Sequence, residues 1–453
     1  MLRRLPLGRF VSPSIARTTP IALEAGPALA SMHADFAVAA AAIAYPALPI
    51  PRKRFTKGRI ALGIAVGFVL LMGAAYTQKD RYTNQAADFS RNVIGDENTA
   101  KVESWYFRVQ DRIDRVKYKL LGGRTDPFNE SRVFVQFIQS APGKTVLVDL
   151  SKPLHTGSLN IPSFFTVKEI ELPKTRPLRD TLEQGEGVWT TSGLPRTTPT
   201  NPLMAKTFIR PDKARPYALV GVLLLDHRRV RLHVTGGTVD PGGDLGVKGP
   251  GIIPADDLKS LLVAWNGGFK GPHGGFGMVA DGKTYRGLRN GLASVAVMKD
   301  GTVRMGEWGR TLTWDESMAA VRQNAVLLVD NCEVSKRTAE GNDTWGYVQV
   351  NSAEFITWRS AIGLTKDGNL IVASGNSLSA STLANALWAA GACTAMQLDI
   401  NNPYVLTSLY FPQSDGSLKP ERFMDSMPDS PTRWSKTQER DFMYATLDEA
   451  RFR

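Results

Sequence analysis

Apolar and polar positions alternate in short blocks over the C-terminal half of this 453-residue chain. Val220 to Leu225, Leu261 to Trp265 and Ala325 to Val329 are brief apolar runs bounded by polar residues, and Val230 to Val234 and Thr394 to Leu398 interleave apolar with polar positions. Runs of this length with turn signals between them predict buried strands. Tyr217 to Val234 reads as one hairpin turning near Asp226-His227-Arg228. Asp281-Gly282, Asp300-Gly301 and Asp367-Gly368 stand between further apolar arms and predict three tight hairpins, which makes their acids turn residues. Helical spacing is predicted for Trp314 to Gln323, with Thr313 or Asp315 as cap. It is also predicted for Ser379 to Ala390, capped by Ser379 or Ser381 and stopped at Gly391. Strands in hairpins with interspersed helices give an α+β fold: a mixed or antiparallel β-sheet core with packed helices.

The N-terminal part follows other rules. Asn98 to Leu121 carries Val102, Trp105, Tyr106, Val109, Ile113, Val116 and Leu120 at spacings of three and four, the mark of a helix, and Gly122-Gly123 ends it. Upstream, Ile60 to Tyr76 has no charge and approaches the length that spans a bilayer. The first 59 residues hold nine Lys or Arg against two acids, much of the chain's net charge of +12. A basic tail ahead of an apolar span is an orientation signal that keeps the N-terminus cytoplasmic. It also removes the argument for nucleic-acid binding, since no basic-aromatic module follows. The expected organisation is a basic disordered tail at 1–59 and a transmembrane signal anchor at 60–77. A helical stalk at 78–123, a proline-rich lead-in with short strands at 124–185 and the main domain at 186–450 follow. Val133 to Ile138 and Val146 to Leu150 are the lead-in's strands. The main domain is then extracytoplasmic on a single-pass protein of the cell membrane.

Such a location permits a disulfide between Cys332 and Cys393, the chain's two cysteines. Two buried thiols are the favoured reading, because cysteine packs as a small hydrophobe. Two cysteines and five scattered histidines give no zinc-ligand spacing, so no metal ligand is assigned; a divalent cation stays open and no cofactor is implied.

Chemistry is expected at strand ends. Asn266-Gly267-Gly268-Phe269 follows a buried strand, and its glycines let backbone amides approach a ligand, with Lys270 and His273 nearby. Asp399 closes the strand Thr394 to Leu398, and a buried acid there needs donors, a metal or a raised pKa. Asp330 ends another strand, and Arg322-Gln323-Asn324 is a polar cluster suited to sugar hydroxyls or to ending a helix. Arg359 and Arg289 carry guanidinium forks that suit phosphate.

Asn266 to Phe269, then Arg359-Ser360-Ala361-Ile362-Gly363, then a helix leading to Leu398-Asp399, resemble in order the motifs of the phosphodiester glycosidase family. The likeness runs from about Gly187 to Tyr444. The family continues its last motif as Leu-Asp-Gly-Gly-Gly-Ser, whereas this chain reads Leu398-Asp399-Ile400-Asn401-Asn402. The resemblance implies a hydrolase of sugar-phosphodiester linkages in envelope or exopolysaccharide glycans. Its catalytic carboxyls would be Asp399 and Asp330. Asn266, Gly267, Gly268, His273, Arg289, Arg359 and Asn401 would line the substrate. A non-catalytic glycan- or partner-binding relative is the alternative, since Ile400 and Asn401 would partly fill space that glycines leave open.

Overall fold

The computed structural model describes residues 83–122, 127–128, 138–140, 144–146, 170–197, 202–346, 355–402, 404–448 and 450. The predicted tail at 1–59 and the predicted span at 60–77 lie outside these residues, as does much of the lead-in. Among the described residues no helix is long and apolar enough to cross a membrane.

The α+β expectation holds, with few helices and mostly antiparallel sheets. A seven-stranded sheet is built from β3 (Met204–Ile209), β4 (Val220–Leu225), β12 (Leu327–Asp330), β13 (Glu333–Val334), β14 (Thr357–Thr365), β15 (Leu370–Leu378) and β16 (Ala392–Ile400). Its order is β13-β12-β16-β14-β15-β4-β3. A five-stranded sheet joins β5 (Val230–Thr235), β6 (Leu261–Asn266), β17 (Thr407–Pro412), β18 (Leu418–Arg422) and β19 (Phe442–Leu447) in the order β18-β17-β6-β19-β5. A second five-stranded sheet holds β7 (Met278–Ala280), β8 (Lys283–Arg286), β9 (Ala293–Met298), β10 (Val303–Glu307) and β11 (Met318–Gln323), ordered β10-β9-β11-β7-β8. In the lead-in, β1 (Ile138–Ser140) and β2 (Lys144–Val146) form a short antiparallel pair. The other residues of the strands predicted there lie outside the described set.

Strand β4 shows why the apolar runs are continuous. Val220, Val222 and Leu224 enter one core cluster, while Leu223 and Leu225 enter another. Side chains alternate across a strand, so a strand covered on both faces needs apolar residues at every position. The cluster that holds Leu223 and Leu225 draws on all three large sheets. The cluster that holds Val220, Val222 and Leu224 lies on the opposite face of the seven-stranded sheet and is closed by a helix at Ala380–Ala389. Ser379 caps that helix: its hydroxyl accepts from Thr382 N while Thr382 Oγ1 accepts from Ser379 N. This is the capping box that the sequence offered at one of two serines.

Two predicted elements differ. Trp314 to Gln323 is not a helix: Met318–Gln323 is β11, paired between β9 and β7. Its alanines and acids favour a helix locally, but an almost wholly buried central strand is worth more than propensity. Asp315 caps a turn instead, accepting from Ser317 N and Oγ. Tyr217 to Val234 is not a hairpin either. β4 pairs with β3 and β15, whereas β5 pairs with β19 in the other sheet. The buried Asp226 carboxylate, held by Arg228 N and Nε at 3.0 and 2.8 Å, fixes the step between sheets. The three Asp-Gly hairpins form as predicted, between β7 and β8, β9 and β10, and β14 and β15.

The N-terminal helix α1 (Thr83–Leu121) is longer than its apolar spacing indicated. It packs on the domain through Asp111, whose Oδ1 accepts from Arg215 Nε at 3.0 Å and Tyr217 OH at 2.6 Å. Phe107 meets Phe355 edge to face.

Two ties bind separate sheets and strands. Arg322, at the end of β11, forks onto Asp441, just before β19, with Nε–Oδ2 at 2.8 Å and Nη2–Oδ1 at 3.1 Å; both side chains are buried. Cys332 and Cys393 form a disulfide, not the two free thiols expected. Antiparallel β12 and β16 bring them together, and Cys332 N donates to Cys393 O.

Removing one partner of a buried ion pair strands the other charge, so Asp441→Asn is expected to lower stability by about 3–5 kcal/mol. Chemical denaturation of the wild type and variant measures it. Loss of the bridge across a sequence separation of 61 residues frees unfolded-chain entropy worth about 4 kcal/mol. A matching drop in the denaturation midpoint is expected for a Cys332→Ser, Cys393→Ser double variant.

Candidate functional site

Three strand ends and one loop meet beside a hollow of about 440 Å³. Phe442 of β19 pairs with Asn266 of β6, which places Asp441 opposite the Gly267 step. Gly267 O accepts from Asp399 N at 2.9 Å, joining the end of β16 to the same place. The hollow is lined by Asn266, Lys270, Asp399, Tyr404, Arg433, Arg440 and Asp240, among others.

The glycine run does not present its amides to a ligand. Gly267 N donates to Asp441 O, Gly268 N to Asp441 Oδ2, Phe269 N to Asn324 Oδ1 and Gly271 N to Asp240 Oδ1, each at 3.1 Å. The glycines are needed for close approach. A Cβ on Gly267 would lie 2.0 Å from Asp441 Oδ2, and one on Gly268 would lie 2.7 Å from the Arg322 guanidinium. Arg322, Gln323 and Asn324 are fully buried and hold this loop and the neighbouring strands. Neither contact with sugar hydroxyls nor the end of a helix is their role.

Asn266 lines the hollow yet is itself committed. Its Nδ2 donates to Ser360 Oγ at 2.8 Å and its Oδ1 accepts from Leu406 N at 3.2 Å. Ser360 in turn donates to Asp399 O at 2.7 Å. This chain of bonds sets the backbone that carries Asp399.

The Asp399 carboxyl is buried at the hollow's edge. Oδ1 accepts from Ile400 N at 2.9 Å, and Oδ2 is paired with Arg440 Nη2. Burial pushes its pKa up to about 6, against the lowering effect of Arg440 and the Ile400 amide. Arg440 lies over the Tyr404 ring at 4.2 Å. Arg440 Nη1 and Tyr404 OH are buried with no hydrogen-bond partner among the described residues. Lys270 sits 6.0 Å from the same ring. The hollow therefore combines a proton-exchanging carboxyl with cationic groups and two unsatisfied donors, a set suited to an anionic, hydroxyl-bearing ligand.

Arg359 is not part of it. The residue is 1% exposed and its donors are consumed: Nε by Leu378 O, Nη1 by Gln397 Oε1 and Trp345 O, Nη2 by Phe355 O. Burial without a carboxylate pushes its pKa down to about 9. The register explains the placement. Arg359 is the cross-strand partner of Ile400, and Ile400 belongs to the core under the capped helix. Asp399 and Ser360 are one residue on, so they face the other side.

Other expected residues are dispersed. Asp330 is half-buried and paired with Arg310. It lies beyond Val329, which pairs with Ala395, so it sits toward the start of β16 while Asp399 sits at its end. Arg289 is exposed and donates to Gly274 O, bracing the loop. His273 N donates to Lys270 O within a turn, away from the hollow's lining. Asn401 adopts φ 73° and accepts from Thr357 Oγ1 at 2.8 Å. Asparagine tolerates the left-handed region better than most residues, so it serves where the family has glycine. With Ile400 in the core and Asn401 bound to Thr357, neither fills the hollow, contrary to expectation.

Arg440, Tyr404 and Asp240 escaped the sequence reading. A signal existed for the first: Arg440-Asp441 stands directly before the apolar strand Phe442–Leu447, as Asp399 stands at the end of its own. Among the described residues no group of three or more His, Cys, Asp or Glu is placed to hold a metal ion.

Solved structures with some likeness include the zebrafish N-acetylglucosamine-1-phosphodiester alpha-N-acetylglucosaminidase catalytic domain auto-inhibited by its pro-peptide. It is 19% identical, over 56% of this chain and 87% of that one, at a TM-score of 0.36. A hypothetical protein from Synechocystis is 12% identical over 54% of this chain and 62% of that one, at a TM-score of 0.31. No curated protein matches the chain. Residues 259–399 match the phosphodiester glycosidase family model, a stretch that begins just before β6 and ends on the buried carboxyl of the hollow. This part of the chain is a phosphodiester glycosidase domain.

Proposed function

We propose that the chain is a membrane-anchored, extracytoplasmic hydrolase of glycosyl-1-phosphate diester linkages in envelope or exopolysaccharide glycans. The single observation that carries the reading is the buried Asp399–Arg440 pair at the edge of the hollow, its carboxyl standing at the end of the stretch that matches the phosphodiester glycosidase family. Arg440, with its second terminal nitrogen unsatisfied, and Lys270 bind the phosphodiester. Asp399 acts as the carboxylate at the sugar side, either as base toward water or as nucleophile. Cleavage between the sugar C1 and the bridging oxygen releases a phosphate monoester, which departs as a stable anion while water adds to C1, so one acid and fixed positive charge suffice where a sugar alcohol would need a second proton donor. Asp240, which lines the same hollow, replaces Asp330 as the second carboxyl within reach.

The location rests on the uncharged run Ile60 to Tyr76 behind a basic tail, and the disulfide is in keeping with an oxidising compartment. The expected division into tail, anchor, stalk, lead-in and domain belongs to this same proposal. Binding without turnover is the second reading. It is favoured by the amides of Gly267, Gly268, Phe269 and Gly271, each satisfied internally and so not free to stabilise a developing anion.

Turnover of a sugar-1-phosphodiester by the purified chain separates the two. Asp399→Asn is expected to lower kcat by about a hundredfold or more, with substrate binding retained. Wild-type binding without any hydrolysis across a panel of such diesters would leave only the second reading. The working form of Asp399 is the carboxylate, and its pKa is raised to about 6. The rate of the enzyme–substrate complex should therefore fall as pH drops through about 6 and level off above it. Arg440→Met is expected to raise KM for the diester more than it lowers kcat, as titration with substrate would show.

A further inference from the structure

A second hollow, of about 350 Å³, neighbours the one that holds Asp399. Three separate pieces of chain form it. Ile252, Ile253 and Leu258 come from the connection between β5 and β6, Tyr410 and Leu418 from the β17–β18 hairpin, and Trp434 from the turn Arg433–Ser435. Two links join the hollows. Trp434 lines both. Gln438, in the wall of the first, donates its N–H to Gly251 O at 2.7 Å, directly before Ile252 in the wall of the second. Apart from Lys259, every residue lining the second hollow lies outside residues 259–399, the stretch that matches the family. Such a place suits a determinant of this chain's own specificity.

We propose that the second hollow binds an uncharged sugar unit of the aglycone chain, beyond the unit that the phosphate esterifies. The inference deepens the proposed function and takes from it the phosphate's place beside Arg440 and Lys270. The volume lies within the range that takes small organic ligands, about 300–1,000 Å³. The lining narrows the chemistry. Ile252 and Leu258 are 44% and 39% exposed, apolar surface left open to a ligand. The lining brings no carboxylate, and its single cation, Lys259, is exposed and paired with Asp256, so a second phosphate finds no charge held for it. The Trp434 indole is buried and stacked on Phe442 at 5.3 Å, and its N–H has no hydrogen-bond partner among the described residues. A buried donor without an acceptor is costly. An alkyl chain would leave it so. A sugar ring lays C–H groups on the aliphatic wall and brings a hydroxyl oxygen to the indole N–H. Trp434 stands between the hollows, so what enters the second is set off from the phosphate by the breadth of an indole and touches no reacting atom. It adds affinity equally to ground state and transition state, which lowers KM and leaves kcat alone.

The test uses the full-length chain and three diesters of one donor sugar-1-phosphate, with a monosaccharide, an uncharged trisaccharide or an n-dodecyl chain as aglycone. For the wild type, KM is expected to fall at least about tenfold from the monosaccharide to the trisaccharide at similar kcat, with no such gain for dodecyl. Ser417→Trp and Ile252→Trp each put an indole at the rim of the second hollow, and each is expected to abolish the trisaccharide's advantage. Both positions are exposed, so the fold tolerates the change, and melting curves check it. Equal KM for the two saccharides, or an advantage that survives both substitutions, would overturn the proposal. A gain for dodecyl that the same substitutions remove would overturn it in favour of an alkyl aglycone. If the chain turns over none of the three, the proposed hydrolase fails and binding decides the inference by itself. Saturation-transfer NMR with free maltotriose and chitotriose is then expected to show contact with at least one, lost in both variants. Contact with neither, or contact unchanged in the variants, would overturn it.

Discussion

The buried pairing of Arg322 with Asp441 is the constraint from which the site follows. Both ions have left water, so each must find every partner within the protein. Asp441 takes the Arg322 fork and the amide of Gly268, while its own carbonyl takes the amide of Gly267. Arg322 also donates to the carbonyls of Gln323 and Phe269. One carboxylate thus fixes a strand of each five-stranded sheet and folds the glycine run inward between them. The residue before it, Arg440, is placed by the same bonds and comes to Asp399. The order of dependence runs from a satisfied ion pair outward to a reactive one.

The two arginine–aspartate pairs differ in completeness, and that difference separates scaffold from site. Every guanidinium nitrogen of Arg322 meets an acceptor. Arg440 holds one oxygen of Asp399 and covers Tyr404, but a terminal nitrogen remains buried and unmatched, as does the tyrosine hydroxyl. Buried donors without acceptors are costly in a folded protein, and the usual remedy is a ligand or an ordered water. Asp399 shows the complementary strain, with burial raising its pKa against the pull of its own cationic partner.

Strand-end logic found about half of this arrangement in the sequence. Asn266 and Asp399 were legible because each closes an apolar run, and the structure brings them to one hollow. The capped helix and the three Asp-Gly turns were legible because their signals are local. What failed was long-range. Whether Val220 to Leu225 and Val230 to Val234 share a sheet depends on partners over a hundred residues away. The strand at Met318–Gln323 was hidden because its composition is helical and only its neighbours make it extended. The cysteine pair was undecidable from spacing, since it forms only once β12 and β16 are adjacent. Arg440 lies in no family motif, and only its place directly before an apolar strand marks it in the sequence.

Arg359 carries a wider lesson about what a motif preserves. Its guanidinium closes four acceptors from three separate segments around the helix and the seven-stranded sheet, and nothing of it reaches solvent. A shorter or less branched cation could not serve so many carbonyls at once. Its place in a family signature can therefore reflect assembly and not turnover. A homologue that keeps this arginine has kept a keystone of its architecture, and its chemistry must be judged from the side chains around the hollow.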